Sequence, residues 1–217
     1  MRDFDCRDPM MPCPRFLFRL FLMWCALCLC MTASAAPKDP YDPGSPAAVV
    51  LPVLQALGAV PADAADAVQR YDAILAPQVN MHMFLDAVLL RAPQGMRALD
   101  EASQERLGTL VRRQLIASHL DLLRQLGRAI VLRKVGDMVD VSMGSVVFDA
   151  RRGKAKPVRL QVLTVRGWSD WKIGDLALGD TLLSDRCRAA YAKEIQAGGA
   201  PALLARLEAK AEAEAAR

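Results

Sequence analysis

Residues 158–180 read VRLQVLTVRGWSDWKIGDLALGD. Val158, Leu160 and Val162 alternate with Arg159 and Gln161, and Trp171 and Ile173 alternate with Lys172 and Gly174. Alternation with period two gives each strand one buried and one solvated face. Residues 167–170, GWSD, turn the chain between the two runs, so the segment reads as the end of an antiparallel sheet. The apolar parity switches inside the first strand, because Leu163 and Val165 fall opposite to Val162. That switch predicts a bulge or a strong twist in this strand, which lets it serve two surfaces. A sheet bent in this way needs its concave side filled, and the rest of the chain reads mainly as helix.

Immediately upstream lie two further strands. Residues 129–135 form one, and 138–149 the other, with Val139, Val141, Met143 and Val147 on one face and Asp140, Ser142 and Gly144 on the opposite one. Residues 151–154, RRGK, make the hairpin that leads into the Val158 strand. Before the sheet come four helical segments. Pro46 opens the first, whose apolar side is Val49, Val50, Val53, Leu54 and Leu57; Pro52 inside it predicts a short or broken helix. Asp63 caps the second, with Val68, Tyr71 and Leu75 on its face, and Pro77 ends it. Asn80 caps the third. Asp100 caps the fourth, a stripe from Leu107 through Leu115 to Leu126 that reaches Gly127, roughly 26 residues or ~39 Å. After the sheet, residues 182–196 form a helix that Gly198-Gly199 stops, and another runs from Pro201 into a fraying tail at 211–217. Helices, then about four strands, then helices make the class α+β.

The first 35 residues read as a secretory signal peptide. An apolar run of twelve, Leu20 to Met31, follows Arg15 and Arg19 and precedes the small-x-small pattern Ala33-Ser34-Ala35. It is shorter than the ~20 residues that span a bilayer. Asp3, Asp5 and Asp8 are out of place in a basic flank, which points to a start at Met10 or Met11. Residues 36–46 carry four prolines from Pro37 onward and read as a flexible arm, leaving 47–210 as one domain. Five of the six cysteines precede Ala36, so Cys187 alone remains in the mature chain and an internal disulfide is excluded. Without Arg2, Arg7, Arg15, Arg19, Asp3, Asp5 and Asp8, the 28 basic and 24 acidic residues leave a net charge of roughly +3. No basic run is interleaved with aromatics, so nucleic acid is not an expected partner.

Catalytic constellations are scarce. His82 and Asp86 share a helix face at i, i+4, the spacing of two metal ligands or a catalytic dyad, but no third ligand lies near in sequence and a local surface pair is the plainer reading. His119 flanks an apolar stripe, and Cys187 lacks the nearby base that a nucleophile needs. No cofactor is expected. The composition instead gives 53% hydrophobic against 6% aromatic residues, so the interior is Leu, Val, Ala and Met. Flexible aliphatics suit a pocket for an acyl chain, and they suit an ordinary core equally well.

Several short motifs occur in order along the chain: Ile74, Leu75 and Pro77; Asn80 to Phe84; Gln104 to Leu107; Gly167, Trp171, Lys172, Ile173 and Asp175; Arg188, Tyr191, Glu194, Ile195 and Gly199; and Leu203 to Leu207. Their order and spacing resemble the MlaC-type periplasmic phospholipid-binding proteins, the toluene-tolerance family of ABC transport auxiliary components. The likeness departs from the family pattern at 78–80, 90–93 and Cys187, mostly at helix ends.

The resemblance implies an NTF2-like or cystatin-like twisted sheet wrapped by helices, with an apolar pocket between sheet and helices. It also implies a monomeric periplasmic shuttle with phospholipid as cargo. Its partners would be an outer-membrane lipoprotein complex and an inner-membrane ABC transporter of the MCE-domain type, a system of outer-membrane lipid asymmetry. The residues expected against the acyl chains are Phe84, Val88, Leu115, Val139, Val141, Val147, Leu160, Val162 and Ile173. Alternatives in keeping with the same fold are a carrier of hopanoid or isoprenoid lipids, an NTF2-like enzyme using Asp140 or Asp175 as a buried base, and a ligand-free periplasmic adaptor.

Overall fold

A computed structural model of the chain describes residues 44–126, 128–167 and 170–216. The expected signal peptide and nearly all of the expected proline-rich arm lie outside the described residues, as do Gly127, Trp168 and Ser169. Within them the architecture is α+β: a five-stranded antiparallel sheet with helices packed on it. The strands are β1 (Ile130–Val139), β2 (Met143–Arg152), β3 (Val158–Arg166), β4 (Trp171–Leu178) and the two-residue β5 (Thr181–Leu182), in the order β1-β2-β3-β4-β5.

The turn between β1 and β2 departs from the sequence-based expectation. The chain reverses at 140–142, where Asp140 N–H donates to the Met143 carbonyl at 2.8 Å and the Asp140 side chain accepts from Val141 N–H at 2.6 Å. Asp and Ser favour such turns through these local bonds. The valine alternation ran straight through the turn and hid it. Within β2 the inward face carries Val146 and Phe148, which are buried, and Val147 lies on the other face.

β3 buries Leu160, Val162 and Thr164 on one side, with Leu163 and Val165 half-buried on the other. The expected irregularity exists, but its extra residue is on β4. Leu163 pairs with Asp175 and Thr164 with Ile173, which leaves Gly174 unopposed. Met83 packs over this glycine: a Cβ would lie 2.7 Å from Met83 Sδ, so a larger residue would require the methionine side chain to shift. Beside the bulge, Asn80 N–H donates to the Ile173 carbonyl at 2.7 Å, and Ile173 N–H donates to the Gln78 carbonyl at 2.8 Å. Residues 78–80 thereby extend the sheet on the stretch of β4 that β5 leaves uncovered. A second irregularity on β1, between Lys134 and Gly136, adds further twist.

The helices are α1 (Pro46–Ala59), α2 (Ala67–Leu75), α3 (Met81–Val88), α4 (Glu101–Ser118), α5 (Leu120–Gln125), α6 (Leu183–Ala190) and α7 (Ala192–Ala215), with a 3-10 turn at Gly95–Ala98. α1 is continuous despite Pro52. Its first turn rests on β2 because Gly144 has no side chain; a Cβ there would sit 2.5 Å from Pro46 Cγ. α2 starts at Ala67 rather than at Asp63. The caps of α3 and α4 match expectation, as Asn80 Oδ1 accepts from Met83 N–H at 3.0 Å and Asp100 Oδ1 from Ser103 N–H at 2.7 Å.

The long fourth helix is not continuous. It breaks at His119 (φ −117°, ψ 17°), whose Nδ1 lies 2.9 Å from the Leu115 carbonyl oxygen. The helix after the sheet breaks at Tyr191, and Gly198-Gly199 interrupts α7 as expected, Gly199 at φ +63°. Helix persists to Ala215, beyond the point where fraying was expected. The core has three parts: α3, α4, α6 and α7 around Leu85, Leu107 and Leu203; α1 on the sheet around Val50, Phe148 and Val162; and α1, α2 and α4 around Leu57, Tyr71 and Ile116.

Candidate functional site

The second and third of these clusters do not close on each other. Between them lies a cavity of about 280 Å³. α1 supplies Val53 and Leu57 to its wall, α4 supplies Leu115, and the sheet supplies Leu160, Val162 and Leu176. The break at His119 lets the leucine stripe continue round the cavity as Leu122, Leu123 and Leu126 of the α5 segment. Several wall residues that would be fully covered in a solid core, among them Leu115, Leu123 and Leu176, keep part of their surface accessible. The lining is aliphatic almost throughout.

Polar groups at the margin are mostly neutralised. Arg112 Nε lies 2.6 Å from Asp72 Oδ1, with both side chains largely covered, and Arg113 reaches the other carboxylate oxygen at 3.3 Å. A desolvated pair of this kind leaves no uncompensated charge facing the aliphatic wall. Asp175 also borders the cavity, and its oxygens are occupied. Oδ2 accepts from Ser184 Oγ–H at 2.5 Å, and Oδ1 accepts from Leu176 N–H at 2.7 Å and Ser184 N–H at 3.3 Å. This carboxylate fastens β4 to the first turn of α6. Arg186, exposed at the margin, has no polar partner among the described residues.

Five of the nine residues expected at the acyl chains line this cavity: Phe84, Leu115, Leu160, Val162 and Ile173. The other four lie elsewhere. Val88 is fully buried in the helical cluster around Leu85 and Leu107. Val139 and Val141 are 45% and 84% exposed at the tip of the β1–β2 hairpin, and Val147 points away from the cavity beside inward-facing Val146 and Phe148. The turn at 140–142 carries Val139 and Val141 to the hairpin tip, while Val147 faces outward because Val146 and Phe148 take the inner face of β2. Missing from the expected set were Val53, Leu57, Leu123 and Leu176. Apolar periodicity marked most of these positions, but a side chain facing a void carries the same pattern as one facing its neighbours.

The remaining candidates have local roles. His82 Nδ1 lies 3.1 Å from Asp86 Oδ2 on an exposed helix face. No group of three metal-ligating side chains occurs among the described residues. Asp140 is exposed in its turn. Cys187 is buried, and that burial, with Asp175 nearby, pushes its thiol up to about 11, so the nucleophilic thiolate is scarce at neutral pH. Among the described residues no helix is long and apolar enough to cross a membrane.

No protein-family model matches the chain, and no curated protein is similar to it. Among solved structures, the phospholipid-binding protein of Ralstonia solanacearum, solved in complex with a phospholipid, is similar with a TM-score of 0.63. The match spans 78% of this chain and 98% of that one. The two share one fold. At 17% sequence identity the likeness concerns the architecture: a twisted antiparallel sheet with helices laid across it.

Proposed function

We propose that this protein is a lipid carrier that holds phospholipid acyl chains in the cavity between α1, α4–α5 and the sheet. The observation that carries the reading is an aliphatic cavity of about 280 Å³, framed by the same fold as a protein solved with phospholipid bound. Each methylene buried there gains about 0.8 kcal/mol, so ten of them gain on the order of 8 kcal/mol before ordering losses. A volume near the lower end of ligand pockets suits part of one or two chains, with the headgroup left at the margin near Arg186. The leader-like first 35 residues support a periplasmic carrier, with cleavage expected near Ala36. It would move phospholipid between an outer-membrane lipoprotein complex and an inner-membrane ABC transporter of the MCE-domain type, as the motif resemblance implies.

Native mass spectrometry of protein isolated from the periplasm tests this directly. A bound mass that fragments as phospholipid is the expected result, and a pentacyclic or isoprenoid mass would redirect the reading to that cargo. Protein that is empty as isolated and takes up no phospholipid from vesicles would overturn it.

A further inference from the structure

We propose that the β2–β3 hairpin and the strand ends beside it form a docking surface for an anionic phospholipid bilayer. Residues 149–159 read DARRGKAKPVR and are exposed except for partly covered Asp149 and Ala150. Folding brings Arg128 and Arg133 beside them around an open groove of about 1000 Å³. Arg133 is matched by Asp149 at 3.1 Å, and Arg128 donates to the Val60 carbonyl at 2.8 Å. The side chains of Arg151, Arg152, Lys154, Lys156 and Arg159 have no polar partner among the described residues. Seven basic residues against Asp149 put a local charge of about +6 at one end of the sheet, in a chain whose whole net is +4. Self-repulsion of this kind opposes folding unless a counter-charge uses it.

Three features favour a lipid surface over a protein or a nucleic acid. Val131 and Val158 are 63% and 46% exposed among these cations, the mixed basic and apolar make-up of interfacial binding. The hairpin holds no aromatic residue for bases to stack on. The register places Leu132 beside Ala150 on the inner face, where both line the cavity, and Val131 beside Arg151 on the opposite face. The basic face and the cavity wall are thus two sides of the same strand ends. Docking there would set the cavity beside the headgroup layer, and in that sense the proposal rests on the carrier reading and names where cargo is exchanged.

The test is co-sedimentation with vesicles of phosphatidylcholine alone or mixed with phosphatidylglycerol, at low and high salt. The wild-type chain should bind only the anionic vesicles and release at high salt. Replacing Arg151, Lys154 and Lys156 together by Gln should weaken binding on the order of 100-fold, since each cation near an anionic surface contributes roughly fivefold. Val131→Ser should weaken it several-fold with the salt dependence unchanged. Equal binding to both vesicle types, a triple variant that binds like wild type, or tighter binding to duplex DNA at matched phosphate would each overturn the assignment. Lipid content of the same samples is read separately by mass spectrometry. A chain that docks but never carries lipid refutes the carrier and spares the docking surface; a loaded chain that ignores vesicles does the reverse.

Discussion

Removing bound lipid from this protein should lower its melting temperature by an amount that the cavity sets. A dry, unfilled cavity of about 280 Å³ costs about 7 kcal/mol at ~24 cal/mol per Å³. That is comparable to the whole stability of a typical domain, roughly 5–15 kcal/mol. The exposed Leu122 on its wall shows that water has access, so the full cost is a ceiling. Mass action gives the working figure. Lipid at roughly a hundredfold excess over its Kd stabilises the folded chain by about 2.7 kcal/mol. At about 2–4 °C per kcal/mol for a domain of this size, loading should raise Tm by about 5–11 °C. The assay is thermal unfolding of delipidated protein by circular dichroism, titrated with a short-chain phospholipid below its micellar concentration. Ala150→Phe, which grows a side chain into the cavity, should leave the lipid-free Tm at or above that of wild type and reduce the shift on loading. A Tm that stays constant while lipid is shown to bind would refute the reasoning, because cargo in this cavity must stabilise the state that contains it.

Truncations should divide by location: Leu107→Ala, in the packed helical cluster, should cost about 3 kcal/mol or more, whereas Leu115→Ala at the cavity should cost less than about 2 kcal/mol in lipid-free protein and shorten lipid retention. Denaturant titration and lipid release read the two effects. Val162→Asp buries an unpaired carboxylate and should prevent stable folding, while Val141→Asp at the exposed hairpin tip should stay within about 0.5 kcal/mol of wild type. Equal damage from both would mean that the hairpin tip is covered in solution. Because the folded state keeps Cys187 protonated up to about 11, its contribution to stability is intact below pH 9 and is lost as pH rises from 9 through about 11, where the unfolded chain ionises first. Cys187→Ala should remove part of that alkaline slope, the rest belonging to Tyr71 and Tyr191, whose hydroxyls burial also pushes up.

Local chemistry was the most legible layer of the sequence. Asn80 and Asp100 announce helix starts because a capping side chain acts within three residues. The alternations at Leu160 to Val162 and at Trp171 to Ile173 announce strands for the same local reason. Illegibility set in where one pattern served two structures. Val139-Asp140-Val141-Ser142 alternates like a strand and folds as the end of β1 and a turn, which displaced two expected cavity residues; Val147 was displaced because Val146 and Phe148 offer an apolar alternation on the other face of β2. The leucines after His119 keep a helical spacing across a break that only the backbone angles reveal. The cavity itself depends on how far apart two apolar faces are held, and spacing along a chain does not encode that distance. The basic end of the sheet was hidden for a related reason: Arg128 and Arg133 join Arg151 and Lys154 only once β1 pairs with β2.

The order of the strands also bears on how the molecule assembles. Each strand lies beside its neighbour in the chain, so the sheet forms through short loop closures and can zip early. α1 is different, since Val50 packs in one cluster with Val146 and Phe148, nearly a hundred residues downstream. Although α1 is synthesised first among the described elements, its docking must wait for the sheet on which it rests. The cavity is therefore roofed in a late step, and a chain stalled before that step presents the open apolar face of a completed sheet. Substitutions in α1 such as Val50→Ala should accelerate unfolding and leave the refolding rate nearly untouched, the kinetic signature of contacts made after the transition state. If α1 docks last, the interval before docking leaves the apolar face of the sheet open to other chains, and would also give an acyl chain its widest way in.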